Sequence, residues 1–434
     1  MLLLGALPGA KFAAAQSAAI DTAKARQYFG EARAACEQDG GRLWGISVCA
    51  PVIFVDPLTR AVAANQKDAE GILVEKDGVF IGRLPERLPV ANAPVSFAGV
   101  KWAMIVWSFL TDDKFQRVKL MTHESYHRIQ NELKLPVSAA VNEHLDTLEG
   151  RVWLQLEWRA LQKALLSIGK ARKRAIEDAL TFRNYRRTLF PKAKDAENSL
   201  EMHEGIAEYT GFKLTAKDDA ERIAYLTKQL EQMASRPTFV ASFAYASGPA
   251  YCVLLDAADA GWRKNLSPQT NLGELLQKSL RIKLSSDLKK RAEKQAAKYD
   301  GAALRTAETG RETARLKRIA EYRNRLVDSP VLLITLTDKR SVSLNTNNVV
   351  ALEGVGTVYA TAKVTDDWGI LDVSGGALMI REAGGRVSKI YVSAPADASA
   401  QILKGEGWTL QLNSGWTIAP GERKGDYVLK RREQ

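Results

Sequence analysis

The sequence predicts an α+β protein built in successive parts, and three observations carry that reading. Short β-like apolar runs divided by turn residues fill much of the first hundred positions, and charged stretches of helical periodicity follow to about residue 327. After Ser329-Pro330 the pattern returns to short β-type runs separated by Gly, Asn and Asp. A chain of 434 residues exceeds the roughly 250–300 at which one core stops growing, so two or three domains are expected. The expected boundaries are a candidate export segment at 1–20, an N-terminal α+β region at 21–110, a largely helical region at 111–328 with a helical insertion at 142–195, and a C-terminal all-β, sandwich-like domain at 329–434.

Residues 22–37 read as a helix, followed by β-like runs at 44–55, 71–74 and 79–84. Lys76-Asp77-Gly78 is a turn signal joining the last two into a hairpin. The run 95–107 reads as one strand entering the core, either a central strand or an edge at Gly99-Val100-Lys101-Trp102-Ala103. Asp112 or Asp113 is placed to cap a helix through 119–133 that stops before Pro136. Amphipathic charged segments occupy 142–190, a helix spans about 196–213, and 239–255 is apolar. A long basic-acidic helical pattern at 285–327 breaks at Asp300-Gly301. The terminal β-type runs fall at 331–337, 341–344, 349–352, 370–373, 377–381, 389–392, 408–412 and 427–429.

The balance of 46% hydrophobic and 26% charged residues is that of a folded globular protein. A net charge of +12 raises the question of nucleic acid, but Lys170-Ala171-Arg172-Lys173-Arg174 and Lys289-Lys290-Arg291 lie in helical patterns, where such charges solvate a face. With no aromatic RNA-binding stripe, zinc-finger spacing or Gly-rich phosphate loop beside them, nucleic acid is not an expected partner. No stretch reaches the roughly 18 apolar residues needed to cross a bilayer. The apolar N-terminus from Met1 to Ala10, followed by Ala13-Ala14-Ala15-Gln16, reads as a clipped export signal that lacks its basic start, so a periplasmic or extracellular location is expected. Cys36 and Cys49 flank Asp39-Gly40-Gly41 and either close a small loop as a disulfide or remain two buried thiols, while Cys252 sits in an apolar run as a core residue.

Only four histidines occur, and two fall in His123-Glu124-Ser125-Tyr126-His127. Composition alone predicts about 0.003 such HExxH matches in this chain, so accident is a poor explanation. On a helix, residues four apart share a face, and both imidazoles can then bind one zinc ion. Glu124 points beside the metal, where a general base for water belongs.

A catalytic zinc needs a third protein ligand. Downstream, Met202-His203-Glu204-Gly205-Ile206-Ala207-Glu208-Tyr209 resembles the NEGFAEY-type segment of aminopeptidase-like gluzincins, in the peptidase MA superfamily. That resemblance implies a zincin-like catalytic domain with one catalytic zinc held by His123, His127 and Glu204. It also implies a hydrogen bond from Glu208 to a ligating histidine. His203 stands where the family has asparagine and so competes with Glu204. The interval between the two motifs exceeds that of the aminopeptidases, and the charged helices between are read as an insertion. Tyr245-Ala246-Ser247-Gly248-Pro249-Ala250 resembles the family's YxKGA-type segment, which makes Tyr245 the candidate oxyanion donor with Tyr251 in reserve; the other reading is a core aromatic.

His144 either lines the cleft, where it could bind a substrate carbonyl, or satisfies hydrogen bonds near a helix start; Glu149, Arg151 and Glu157 read as surface ion pairs. The GxMEN segment that anchors a free N-terminus in the aminopeptidases is not visible, so exopeptidase activity is unsupported and an endopeptidase or a specialised peptidase acting on a peptide or protein is the expected activity. Two other classes stay open: a zinc-dependent hydrolase of non-peptide bonds, and a non-catalytic zinc-containing binding protein whose working surface is the β-domain. Glu124 weighs against the latter, since a structural zinc needs no base.

Overall fold

Asp21 opens the first helix, α1 (Thr22–Asp39), by accepting the amides of Ala23 and Lys24, and Gly40 closes it in the left-handed conformation. The computed structural model describes residues 20–135, 142–344, 349–382 and 385–432. The apolar stretch read as an export signal and Pro136 lie outside the described residues, Ile20 excepted. The chain divides into two compact units, Met1–Ile129 and Gln130–Gln434.

In the first unit, β1 (Val52–Val55), β2 (Ala61–Ala64), β3 (Val74–Lys76), β4 (Val79–Arg83), β5 (Ala93–Phe97) and β6 (Val100–Val106) form one sheet. The strand order is β3-β4-β2-β1-β6-β5, with β1 and β6 parallel. Alternation along β1 and β6 sends Val52, Phe54, Ala103 and Ile105 to the face covered by α1, and Ile53, Val55, Trp102 and Met104 to the opposite core. The predicted β3–β4 hairpin is present, turning through Asp77 and Gly78, both at positive φ. The run 95–107 is not one strand: Ala98 and Gly99 turn it at positive φ, making the β5–β6 hairpin. As a result β6 lies between β1 and β5, the central one of the two readings for Gly99–Ala103, and the edges of the sheet are β3 and β5. Of the run 44–55, only β1 is strand.

Helix α2 (Lys114–Ile129) starts where the Asp113 carboxylate accepts the amide of Phe115 at 2.8 Å. Val118 and Met121 pack it on the α1 face of the sheet, so the helix read from sequence as the start of the helical region belongs with the sheet. Arg117 adds a buried ion pair to Glu31 at 2.6 Å, and Cys36 and Cys49 are joined by a disulfide, a bond that an oxidising environment favours.

The second unit opens with α3 (Leu148–Leu165), α4 (Gly169–Leu189) and α5 (Ala193–Leu200). A π-helical turn, Glu201–Gly205, leads into α6 (Ile206–Thr215), followed by α7 (Asp219–Ala234) and α8 (Ala244–Ala258). The helical part closes with α9 (Leu272–Ser279), α10 (Leu288–Ala296) and α11 (Gly301–Arg323), the last two separated at Asp300 as predicted. Helix α3 packs against α4, α7, α8 and α11, so the segment read as an insertion supplies much of this unit's interior. Cys252 is fully buried, and burial pushes its thiol well above the usual range, as suits a core residue. Among the described residues no helix is long and apolar enough to cross a membrane.

The C-terminal part is all-β. One sheet joins β7 (Val331–Thr335), β9 (Val349–Leu352), β10 (Gly356–Tyr359), β13 (Ala377–Arg381), β14 (Val387–Ser393), β17 (Trp416–Pro420) and β18 (Tyr427–Arg431). The other joins β8 (Ser341–Leu344), β11 (Ala362–Asp366), β12 (Gly369–Val373), β15 (Ile402–Gly405) and β16 (Trp408–Leu412). Both contribute to one core, with Leu332, Ile334 and Ile390 from the first and Val364, Leu371 and Leu410 from the second.

Candidate metal centre

The face of α2 that seats Val118 and Met121 on the sheet leaves the opposite face to His123 and His127. Their Nε2 atoms lie 3.1 Å apart. Two nitrogens bound tetrahedrally at 2.0–2.1 Å from one zinc would be separated by about 3.3 Å, so the pair has the spacing that a shared ion requires. His123 and Glu124 are both buried, and a carboxylate oxygen of Glu124 lies 4.0 Å from His123 Nε2, beside the pair.

One ring nitrogen from each of His123 and His127 and one carboxylate oxygen of Glu204 lie within 4.8 Å of one another, a group that could hold a metal ion. His203 is not part of that group. Its Nδ1 pairs with Gln130 Oε1 at 3.1 Å, and its Nε2 faces a Glu204 oxygen at 3.3 Å, so it braces the carboxylate with which it was expected to compete.

Glu204 sits in the π-helical turn, where the Ile206 amide reaches back five residues to the Glu201 carbonyl. Two contacts hold this wide turn. Gly205 crosses Gly248 of α8 so closely that a Cβ on Gly205 would lie 2.8 Å from the Gly248 Cα. Glu201 is fully buried and accepts from both terminal nitrogens of Arg183 on α4.

Arg183 belongs to a buried network of alternating charge. Arg186 donates to Glu157 at 2.6 Å and to Glu197 at 2.9 and 3.0 Å, and Arg187 donates to Glu197 at 2.8 Å. Burial alone would raise the Glu197 carboxyl, but Arg186, Arg187 and the His144 hydrogen bond hold it well below the ordinary range. The ion pairs expected on the surface are therefore partly in the interior. Glu157 and Arg151 are buried, Arg151 bonding Glu308 at 2.6 Å, while Glu149 stays partly exposed against Arg305. Alternating arginines and glutamates read alike whether a helix face meets solvent or another charged helix.

His144 Nε2 pairs with Glu197 at 2.8 Å, and its ring lies 5.2 Å from that of Phe190. Gly150 packs α3 directly on the His144 carbonyl, where no Cβ would fit. These contacts give His144 a structural place at the start of α3. The Tyr251 hydroxyl donates to Glu157 at 2.8 Å in the same buried network, which commits the reserve oxyanion donor elsewhere.

Tyr245 stands in the first turn of α8, three residues before Gly248. A single amide nitrogen of Gln229, on α7, donates to Glu208 Oε1 at 2.8 Å and to the Tyr245 carbonyl at 2.7 Å, bringing Glu208 and Tyr245 to one anchor. Gln130 and Gln229 were missed from sequence. Gln130 follows His127 by three residues and so shares its face, a signal that was available; Gln229 carries none. Comparison with known protein families, curated proteins and solved structures returns no match.

Proposed function

We propose that the chain is a zinc metallopeptidase of the gluzincin type, a hydrolase with a zincin-like catalytic unit. The observation that carries this reading is the convergence of ligand atoms from His123, His127 and Glu204 within 4.8 Å, with the Glu124 carboxylate beside the two imidazoles. Two neutral imidazoles, a carboxylate and an adjacent base suit a catalytic zinc, whereas structural zinc sites are usually closed by four protein ligands.

A zinc ion bound there supplies Lewis acidity, polarising a substrate carbonyl and making water more acidic. The remaining chemistry belongs to the chain. Glu124 takes the proton from the attacking water on its carboxylate and returns it to the leaving amine, which its buried position beside the ligands supports. Tyr245 donates its hydroxyl to the developing oxyanion, a contribution of about 2.7–4 kcal/mol for one such donor. His203 orients Glu204, and Glu208, held by Gln229, steadies the same helix. An extended peptide adds to β5, one of the two edge strands of the sheet.

The disulfide supports an exported protein, periplasmic or extracellular. The test is a peptide-library cleavage assay of the wild type and of Glu124→Gln. Cleavage is expected for the wild type and its loss, with metal retained, for the variant. Full activity of Glu124→Gln, or cleavage of another bond class with none of peptides, overturns the proposal.

A further inference from the structure

We propose that the turn between α3 and α4 is a docking tip for an anionic phospholipid surface, with an adjoining cationic pocket that takes a lipid phosphate. Leu166 and Ile168 form the apex and are 66% and 81% exposed, Ile168 being the most exposed large apolar side chain among the described residues. Two bare aliphatic groups at one convex turn are costly in water unless something covers them. Gly169, at φ +55°, turns the chain directly into α4.

The chain on either side of the apex carries charge of one sign. From Lys163 to Ile176 the chain carries Lys163, Lys170, Arg172, Lys173 and Arg174 and no carboxylate. An apolar apex flanked by a chain segment whose charges are all cationic matches the layering of an anionic bilayer, with headgroups above hydrocarbon. Nucleic acid would answer these cations but offers nothing to Leu166 and Ile168.

The third observation is a pocket of about 190 Å³ beside the turn, lined by Leu165, Arg172, Lys213 and Arg222 together with Asp219 and Asp256. Both carboxylates are already engaged, Asp219 by Arg222 and Asp256 by Lys213 and Arg263. Arg222 is only 6% exposed, and its buried Nε has no hydrogen-bond partner. With Lys213 paired to Asp256 and Arg222 to Asp219, Arg172 is the pocket cation whose guanidinium, among the described residues, bonds only a neutral group, the Ser167 carbonyl, and a phosphate diester supplies the anion for it.

The experiment is vesicle flotation of the whole protein with phosphatidylcholine alone and with phosphatidylcholine mixed with phosphatidylglycerol, at low and high salt. Binding is expected to the mixed vesicles only, and to weaken as salt rises. Leu166→Ser/Ile168→Ser alters solvent-exposed positions and should lower the affinity about tenfold or more. Arg172→Gln/Lys213→Gln should lower it about fivefold per cation removed. Circular dichroism confirms that each variant is folded. Equal binding to both vesicle types, or unchanged binding by the apolar variant, overturns the proposal. So does binding of inorganic phosphate or duplex DNA without vesicle binding.

Discussion

A Cβ placed on Gly248 would lie 2.3 Å from the Gly205 Cα, so α8 and the turn carrying Glu204 meet backbone to backbone. That distance leaves no room for any side chain. Gly248→Ala is expected to cost about 1–3 kcal/mol in stability, the usual penalty of overpacking, and to shift Glu204 away from its place. Urea unfolding measures the first effect and zinc affinity the second. A variant with wild-type stability and metal affinity would show that the close crossing does not position the ligand.

The buried charges near this turn predict an acid limit. Glu197 has a folded-state pKa well below its ordinary value, so its contribution is fully present above the unfolded-state pKa of about 4.3 and is lost as pH falls toward the folded value. Stability should therefore decline below about pH 4, and Glu197→Gln should flatten that decline. At pH 7 the same substitution removes a partner from buried arginines and should cost about 3–5 kcal/mol. Urea titrations at several pH values would reveal both effects.

The disulfide gives a third prediction. It closes a loop of 13 residues between α1 and Cys49, and a closed loop of that size stabilises by about 2–4 kcal/mol. Cys36→Ser/Cys49→Ser should lower the unfolding free energy by that amount, and a reducing agent should do the same to the wild type alone. Equal sensitivity of both proteins to the reductant would place the effect elsewhere.

Much of the candidate site was legible because its chemistry is local. The two histidines at helical spacing, the aspartate that caps their helix and the Asp77-Gly78 turn all report short-range geometry. The residues that were misread depend on partners far along the chain. Ala98 carries no sign that it will adopt positive φ, so the β5–β6 hairpin looked like one strand, and whether Gly99–Ala103 lay at the edge or the centre stayed open until the sheet order placed β6 in the centre. Arg183 and Arg186 resemble any exposed arginine until Glu157, Glu197 and Glu201 are brought to them. The π-helical turn has no periodicity of its own, since it follows from contacts made by Glu201 and Gly205.

The account rests on a metal ion held by His123, His127 and Glu204, and the zinc content of purified protein tests it most directly. Elemental analysis should return about one zinc per chain for the wild type and for His203→Ala. His127→Ala and Glu204→Ala should each lose most of it under the same dialysis. A wild-type protein that binds no metal, or a Glu204→Ala protein that keeps its zinc while His203→Ala loses it, would contradict the proposed centre.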